Sequence, residues 1–189
     1  MKAVIDTSSL LSLARYYLPY DKNNILHDFL IEKLKNGELI IIDKVLQESR
    51  FVSQKAIPKS LPFLTDNKFC NEYRIGEDTA FLIPPAPKRF YRMVENNFVV
   101  KSQVELLENQ EYEALKTNFL NSADCKMIIK CDHLIASKEE CLLITEESMQ
   151  PNDRKLFHKI PKICQILDID CCNIQEYLER TDEIKIEIS

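Results

Sequence analysis

The chain begins, from Lys2 to Ser9, with KAVIDTSS, and the reading of this stretch decides the fold. Lys2 to Ile5 is a short apolar run of β-forming residues, and Asp6 follows at once. Thr7, Ser8 and Ser9 come next, then LLSLARYYL, which carries helical spacing. That order predicts a buried strand delivering Asp6 to its carboxyl end, with Thr7 to Ser9 capping the helix that follows. In open α/β sheets ligands collect beyond the carboxyl ends of the strands, so an aspartate there is better placed for chemistry than for packing.

Working outward, helices are expected over residues 8–18 and 24–36. The second carries Ile25, Leu26, Phe29, Leu30 and Leu34 on one face, with Asn23 or Asn24 at its start and Gly37 at its left-handed end. ELIIID (38–43) reads as a second buried strand, because four consecutive apolar residues are too few for a helix. A helix from about Lys44 to Ala56 follows, with Val45, Leu46, Phe51 and Val52 apolar and Glu48 near its beginning, ended by Pro58 and Pro62. Strand, helix, helix, strand, helix is a βαβ opening. It predicts an α/β fold of the Rossmann-like three-layer type around a mainly parallel sheet.

Residues 58–101 hold five of the eight prolines and read as an insertion within a single domain spanning 1–189. Within it Lys88, Arg89 and Arg92 alternate with Phe90 and Tyr91, a pattern that suits phosphate and base contacts. Three cations are few, and a solvated helix face with two core aromatics accounts for them more simply. A polar helix is expected over 102–120, and another over 121–136 with Asn121 and Ser122 as caps and Asp124 in its first turn. ECLLITEE (140–147) repeats the logic of the opening: an apolar strand, then Thr145, then acids. NDRKLFHKIPKICQIL reads as helical on both sides of Pro161, followed by a strand near Ile169–Cys171 and a helix near Ile174–Leu178. The tail EIKIEIS alternates as a terminal strand would.

Composition bounds the function. With only Gly37 and Gly76 available, no glycine-rich phosphate loop can be written. A net charge of −5 argues against holding long nucleic acid by bulk electrostatics, though not against an acidic metal site acting on a short stretch of it. Seven scattered cysteines, an odd number with no C-x-x-C pair, suit a reduced compartment. Cys141, Cys164 and Cys171 sit in apolar surroundings, where a free thiol behaves as a small hydrophobe. Asp6 interrupts any leader-like apolar run, and no stretch is long enough to span a membrane, so a cytoplasmic location is expected.

Four carboxylates stand out by position. Asp6 and Glu147 follow strands, Glu48 lies early in the helix after the second strand, and Asp124 opens a helix. In a parallel sheet all four places lie on one edge. Hard oxygen ligands without His or Cys partners suit Mg²⁺ or Mn²⁺, and a cation held there can activate water for in-line displacement at phosphorus. With 30 acidic residues, chance placement is the competing account. Asp6 resists it best.

VIDTSSLL, the Glu in DKVLQES, Ala123-Asp124-Cys125 at a helix start, and LLITEES followed by KIPKICQIL together resemble a PIN domain, in particular bacterial PIN-like proteins with a TEE-type fourth motif and a KIPxIC segment. The similarity covers 1–56 and 121–179. It implies a metal-dependent ribonuclease using Mg²⁺ or Mn²⁺, with Asp6, Glu48, Asp124 and Glu147 as its catalytic metal ligands and Thr7, Ser8 and Thr145 as supporting hydroxyls. Small bacterial members are commonly toxins of toxin–antitoxin pairs, which implies RNA as substrate, an antitoxin as partner and a possible homodimer. The fourth acid is usually Asp, where Glu147 stands here. Asp132 competes with Asp124 for the third position, but it lies two turns along the helix, away from the strand ends. Two other readings are a PIN fold without catalysis, serving as a binding module, and an aspartyl-nucleophile phosphatase. The latter needs a second Asp where Ser8 stands.

Overall fold

The computed structural model describes residues 1–150, 155–181 and 183–184. Among these, four strands form one parallel sheet: β1 (Lys2–Ile5), β2 (Leu39–Ile40), β3 (Cys141–Ile144) and β4 (Asp170–Cys172), in the order β2-β1-β3-β4. Ala3, Val4 and Ile5 are all buried, as are Leu142, Leu143 and Ile144. A strand with consecutive buried residues has both faces covered, which is why these runs lack polar alternation. The architecture is a three-layer α/β fold with the sheet in the middle. The chain leaves β1 toward β2, then returns to the other side of β1 for β3. The order therefore reverses between β1 and β3, which makes a crevice at their carboxyl ends. Ile5 pairs with Ile144 in the register, so Asp6 and Thr145 emerge side by side into it.

The helices are α1 (Thr7–Ser12), α2 (Ile25–Lys35), α3 (Asp43–Ser49), α4 (Ala56–Ser60), α5 (Asn67–Glu72), α6 (Pro87–Asn96), α7 (Lys101–Val104), α8 (Asn109–Leu120), α9 (Ala123–Ala136), α10 (Ile160–Leu167) and α11 (Ile174–Thr181). α1 continues through a π-helical turn, Leu13–Tyr17, into a 3₁₀ turn, Leu18–Tyr20, where Pro19 lacks the N–H that an α-helix would use. α2 buries Leu26, Phe29, Leu30 and Leu34, whereas Ile25 is exposed. Asn24 is left-handed and makes no side-chain cap. Asp21 does that work, its Oδ2 accepting from the His27 N–H at 2.9 Å. Gly37 (φ +66) closes the helix, with the Glu38 N–H on the Lys33 carbonyl at 2.9 Å.

Several sequence expectations are corrected. The helix expected to Ala56 stops at Ser49, because Ser53, Gln54 and Lys55 all adopt positive φ, and Phe51 turns out to solvent. Pro58 does not end a helix. It lies in the first turn of α4, where a missing N–H costs nothing. The helix expected over 102–120 divides into α7 and α8, with Glu108 extended between them and Leu106 exposed. Ahead of Ile160 the chain is extended rather than helical. Phe157 bridges Val99 in antiparallel fashion, and the Val100 N–H reaches the Leu156 carbonyl at 2.8 Å. Pro161 then sits in the first turn of α10. Pro151 and the end of the tail, 185–189, lie outside the described residues. No helix among the described residues is long and apolar enough to cross a membrane.

Gly76 lies against the β2 edge, its N–H on the Ile41 carbonyl at 2.8 Å, and has φ +80. A Cβ there would stand 2.6 Å from Leu46 Cδ2. Gly76→Ala is expected to lower unfolding free energy by about 1–2 kcal/mol, the cost of a left-handed non-glycine residue, with some overpacking added. Urea denaturation of the two proteins measures it, and equal midpoints would contradict the close approach.

Candidate metal centre

Asp6 is the residue before α1. Its N–H continues the sheet by donating to the Ile144 carbonyl at 2.9 Å, so the strand itself fixes where the carboxylate starts. The side chain is buried. Its Oδ2 accepts from Ser8 Oγ at 2.6 Å and from Thr145 Oγ1 at 3.0 Å. A buried carboxylate needs such donors to offset lost hydration. Thr145, the first residue after β3, also accepts from the Glu147 N–H at 3.2 Å.

The three hydroxyls do not cap α1, as the sequence reading expects. No side-chain cap is present; Thr7 and Ser9 point at acids from distant parts of the chain, and Ser8 at its near neighbour Asp6. Thr7 Oγ1 donates to Glu48 Oε2 at 2.7 Å. Ser8 Oγ serves Asp6 and accepts from the Glu146 N–H at 3.2 Å. Ser9 Oγ, fully buried, donates to Glu146 Oε1 at 3.3 Å. Physically, the strand end already anchors the first turn, so the hydroxyls are free for tertiary partners.

Glu48 projects from α3 and is exposed, apart from its bond to Thr7. Asp124 lies in the first turn of α9, whose cap is Ser122, with the Cys125 N–H on Ser122 Oγ at 3.2 Å. Burial, then the charges of Asp6, Glu147 and Glu48, push the Asp124 carboxyl up to about 7, while Lys155 acts in the opposite direction. Three of the sequence-predicted acids, Asp6, Glu147 and Glu48, thus lie near enough to act electrostatically on the fourth, Asp124. Asp132 belongs elsewhere on α9. Burial also pushes it up, and its charged neighbours are His133 and Arg89.

The fourth motif holds a residue that the sequence reading set aside. Glu146 Oε1 accepts from the Ile174 N–H at 3.0 Å, at the start of α11, while Glu147 Oε2 accepts from the Ile160 N–H at 2.8 Å, at the start of α10. Two adjacent acids thus serve two different helix N-termini, where carboxylates are favoured. The doublet Glu146–Glu147 after a strand is the signal, since successive residues leave a strand on opposite sides. Only Glu147 reaches Asp124 electrostatically. Tyr17, on the π turn, is pushed up by burial and then by Glu146 and Glu179.

The donors are all oxygen, which suits a hard divalent cation. Burial first, and the like charges after it, push the Asp124 carboxyl up to about 7, and a cation bound there would offset the part due to charge. As the side chains stand, no group of three or more His, Cys, Asp or Glu among the described residues is disposed to hold a metal ion. Glu147 is drawn toward α10 and Glu48 toward Thr7, so closing a coordination shell requires rotamer changes at these two acids. The donor set fits Mg²⁺ or Mn²⁺, and its rest geometry is open.

Lys88, Arg89 and Arg92 are not among the charges that act on Asp124. With Met93, Asn96 and Asn97 they line a shallow depression on α6. Phe90 is buried edge-on to Phe98, 5.6 Å between centroids, so half of the aromatic pattern is core.

A family model described as a domain of unknown function (DUF4411) matches residues 86–184, more than half of the chain, and the chain belongs to that family. No curated protein and no solved structure matches it.

Proposed function

We propose that this DUF4411 member is a PIN-like, metal-dependent endoribonuclease. The observation that carries the proposal is the gathering of Asp6, Glu147 and Glu48 near Asp124, whose carboxyl is pushed up to about 7 by burial first and by these three charges after it. Packing alone gives no reason to gather four acids from β1, α3, α9 and the end of β3 at the crevice between β1 and β3. Cation binding does.

Asp6, Glu48, Asp124 and Glu147 would hold Mg²⁺ or Mn²⁺. Once bound, such a cation supplies Lewis acidity toward a phosphodiester and lowers the pKa of water. The chain's own residues do the positioning. Ser8 and Thr145 hold Asp6 through Oδ2 and fix its orientation. Thr7 Oγ1 donates to Glu48 Oε2 and so ties that acid to the residue next to Asp6. Asp124 would have to be deprotonated to serve as a ligand, so cation binding would depend on pH. RNA is the substrate class that the PIN resemblance implies, and the cations of α6 offer phosphate contacts.

The binding-module reading draws on one observation: Glu147 Oε2 is already engaged by the α10 N-terminus. One experiment separates the two. Fluorescently labelled single-stranded RNA, incubated with chelator-treated protein, is expected to be cut when Mg²⁺ or Mn²⁺ is restored and to stay intact with chelator. RNA that survives with both metals, on a folded protein, would sink the nuclease proposal.

A further inference from the structure

Four of the seven cysteines, Cys141 and Cys171 on strands and Cys131 and Cys164 on helices, gather at one face of the sheet. Leu143 of β3 pairs with Cys171 of β4, and Cys141 lies two residues before Leu143, so Cys141 and Cys171 project from the same face. α9 packs on β3, α10 packs on β4, and the two helices touch each other. α9 carries the buried Cys131 on the side packed on β3, and α10 the buried Cys164 on the side packed on β4, so that Cys131 and Cys141, and Cys164 and Cys171, are near enough to perturb each other's titration. In each pair the helix thiol is fully buried and the strand thiol is partly exposed. All four are free thiols.

We propose that Cys131–Cys141 and Cys164–Cys171 are two oxidisable dithiol sites, each converted to a disulfide by a hydroperoxide. The exposed strand thiol attacks the peroxide as its thiolate. Its sulfur bonds to the outer oxygen, the O–O bond breaks, and an alcohol or water leaves, giving a sulfenic acid. The buried helix thiol then attacks that sulfur, the S–O bond breaks, and water departs with the proton. Overall two thiols lose two electrons, and the peroxide gains them. An accessible thiol beside a resolving thiol is the arrangement this chemistry needs. The strand thiol is the attacker because it alone of each pair reaches solvent, and the neighbouring buried thiol also pushes Cys141 and Cys171 down, against burial. A disulfide draws its sulfurs to about 2 Å, closer than a thiol pair can approach, so oxidation pulls α9 onto β3 and α10 onto β4.

The test is peptide mapping of the full chain under non-reducing conditions, after a small molar excess of hydrogen peroxide and blocking of residual thiols. The expected result is a 131–141 crosslink and a 164–171 crosslink in the same molecule, both reversed by a dithiol reductant. The variants Cys131→Ala and Cys164→Ala should each lose their own crosslink and leave the strand cysteine as a sulfenic acid that a dione reagent captures. Because the wild-type map needs no variant to fold, it decides alone. All seven thiols surviving peroxide, a crosslink in one pair only, or bonds only between different chains would each overturn the proposal.

Discussion

Asp6→Asn is expected to cut metal-dependent RNA cleavage by about 10²–10³-fold, on the scale seen when one charge-stabilising group is removed from an active site. The substitution isolates charge from shape. Asn can still accept from Ser8 Oγ and Thr145 Oγ1, so the crevice between β1 and β3 keeps its hydrogen bonds. What disappears is one of the negative charges that would offset a divalent cation, together with an anionic oxygen ligand. Measured as kcat with saturating Mn²⁺, the loss should accompany little change in thermal midpoint. An Asn variant that cleaves RNA at the wild-type rate would remove Asp6 from the chemistry and return it to the role of a strand-end residue.

Asp124→Asn should stabilise the metal-free protein at pH 8 while weakening its response to Mn²⁺. The carboxyl is pushed up to about 7 in the folded chain, above its unfolded value. Between about pH 4 and 7 the unfolded chain therefore gives up this proton while the folded chain keeps it. Stability must fall as pH rises through that window, and above it the penalty is complete. Asn carries no charge at any pH and escapes the penalty. Since Asp124 is partly exposed and coupled to three other acids, the gain at pH 8 is on the order of 2 kcal/mol, or about 4–8 °C for a chain of this size. Near pH 4 both side chains are neutral, and the midpoints should converge. Saturating Mn²⁺ should reverse the order at pH 8, because a ligand that binds only the folded state adds about 2.7 kcal/mol at a hundredfold excess over Kd. Scanning calorimetry at pH 4 and pH 8, with and without Mn²⁺, reads all four conditions. A variant less stable than wild type at pH 8 without metal would mean that the acids do not crowd Asp124.

How much of this was legible in the sequence depended on how local the signal was. β1 and Asp6 could be read because an apolar run ending on an acid needs no distant partner to interpret. The start of α9 was equally plain, since Ser122 and Asp124 carry their own cap and dipole logic. The roles of Thr7 and Ser9 were not, because their partners Glu48 and Glu146 are chosen by tertiary packing over the strand ends. The left-handed break at Ser53 to Lys55 escaped for a related reason: none of these residues is a glycine, and their helical spacing continues through the break. Glu146 and Glu147 could not be told apart until α10 and α11 each presented an N–H to one of them. The cysteine pairs needed the packing of α9 on β3 and of α10 on β4, which no spacing along the chain encodes.

The central claim is that Asp6, Glu48, Asp124 and Glu147 act together as a divalent cation site. Isothermal titration of Mn²⁺ into chelator-treated protein at pH 7.5 tests it directly. The account predicts saturable binding of one or two ions in the wild type, with proton release, and loss of that binding in Asp6→Asn and in Asp124→Asn. Wild-type protein that takes up no Mn²⁺, or folded variants that bind it as the wild type does, would contradict it.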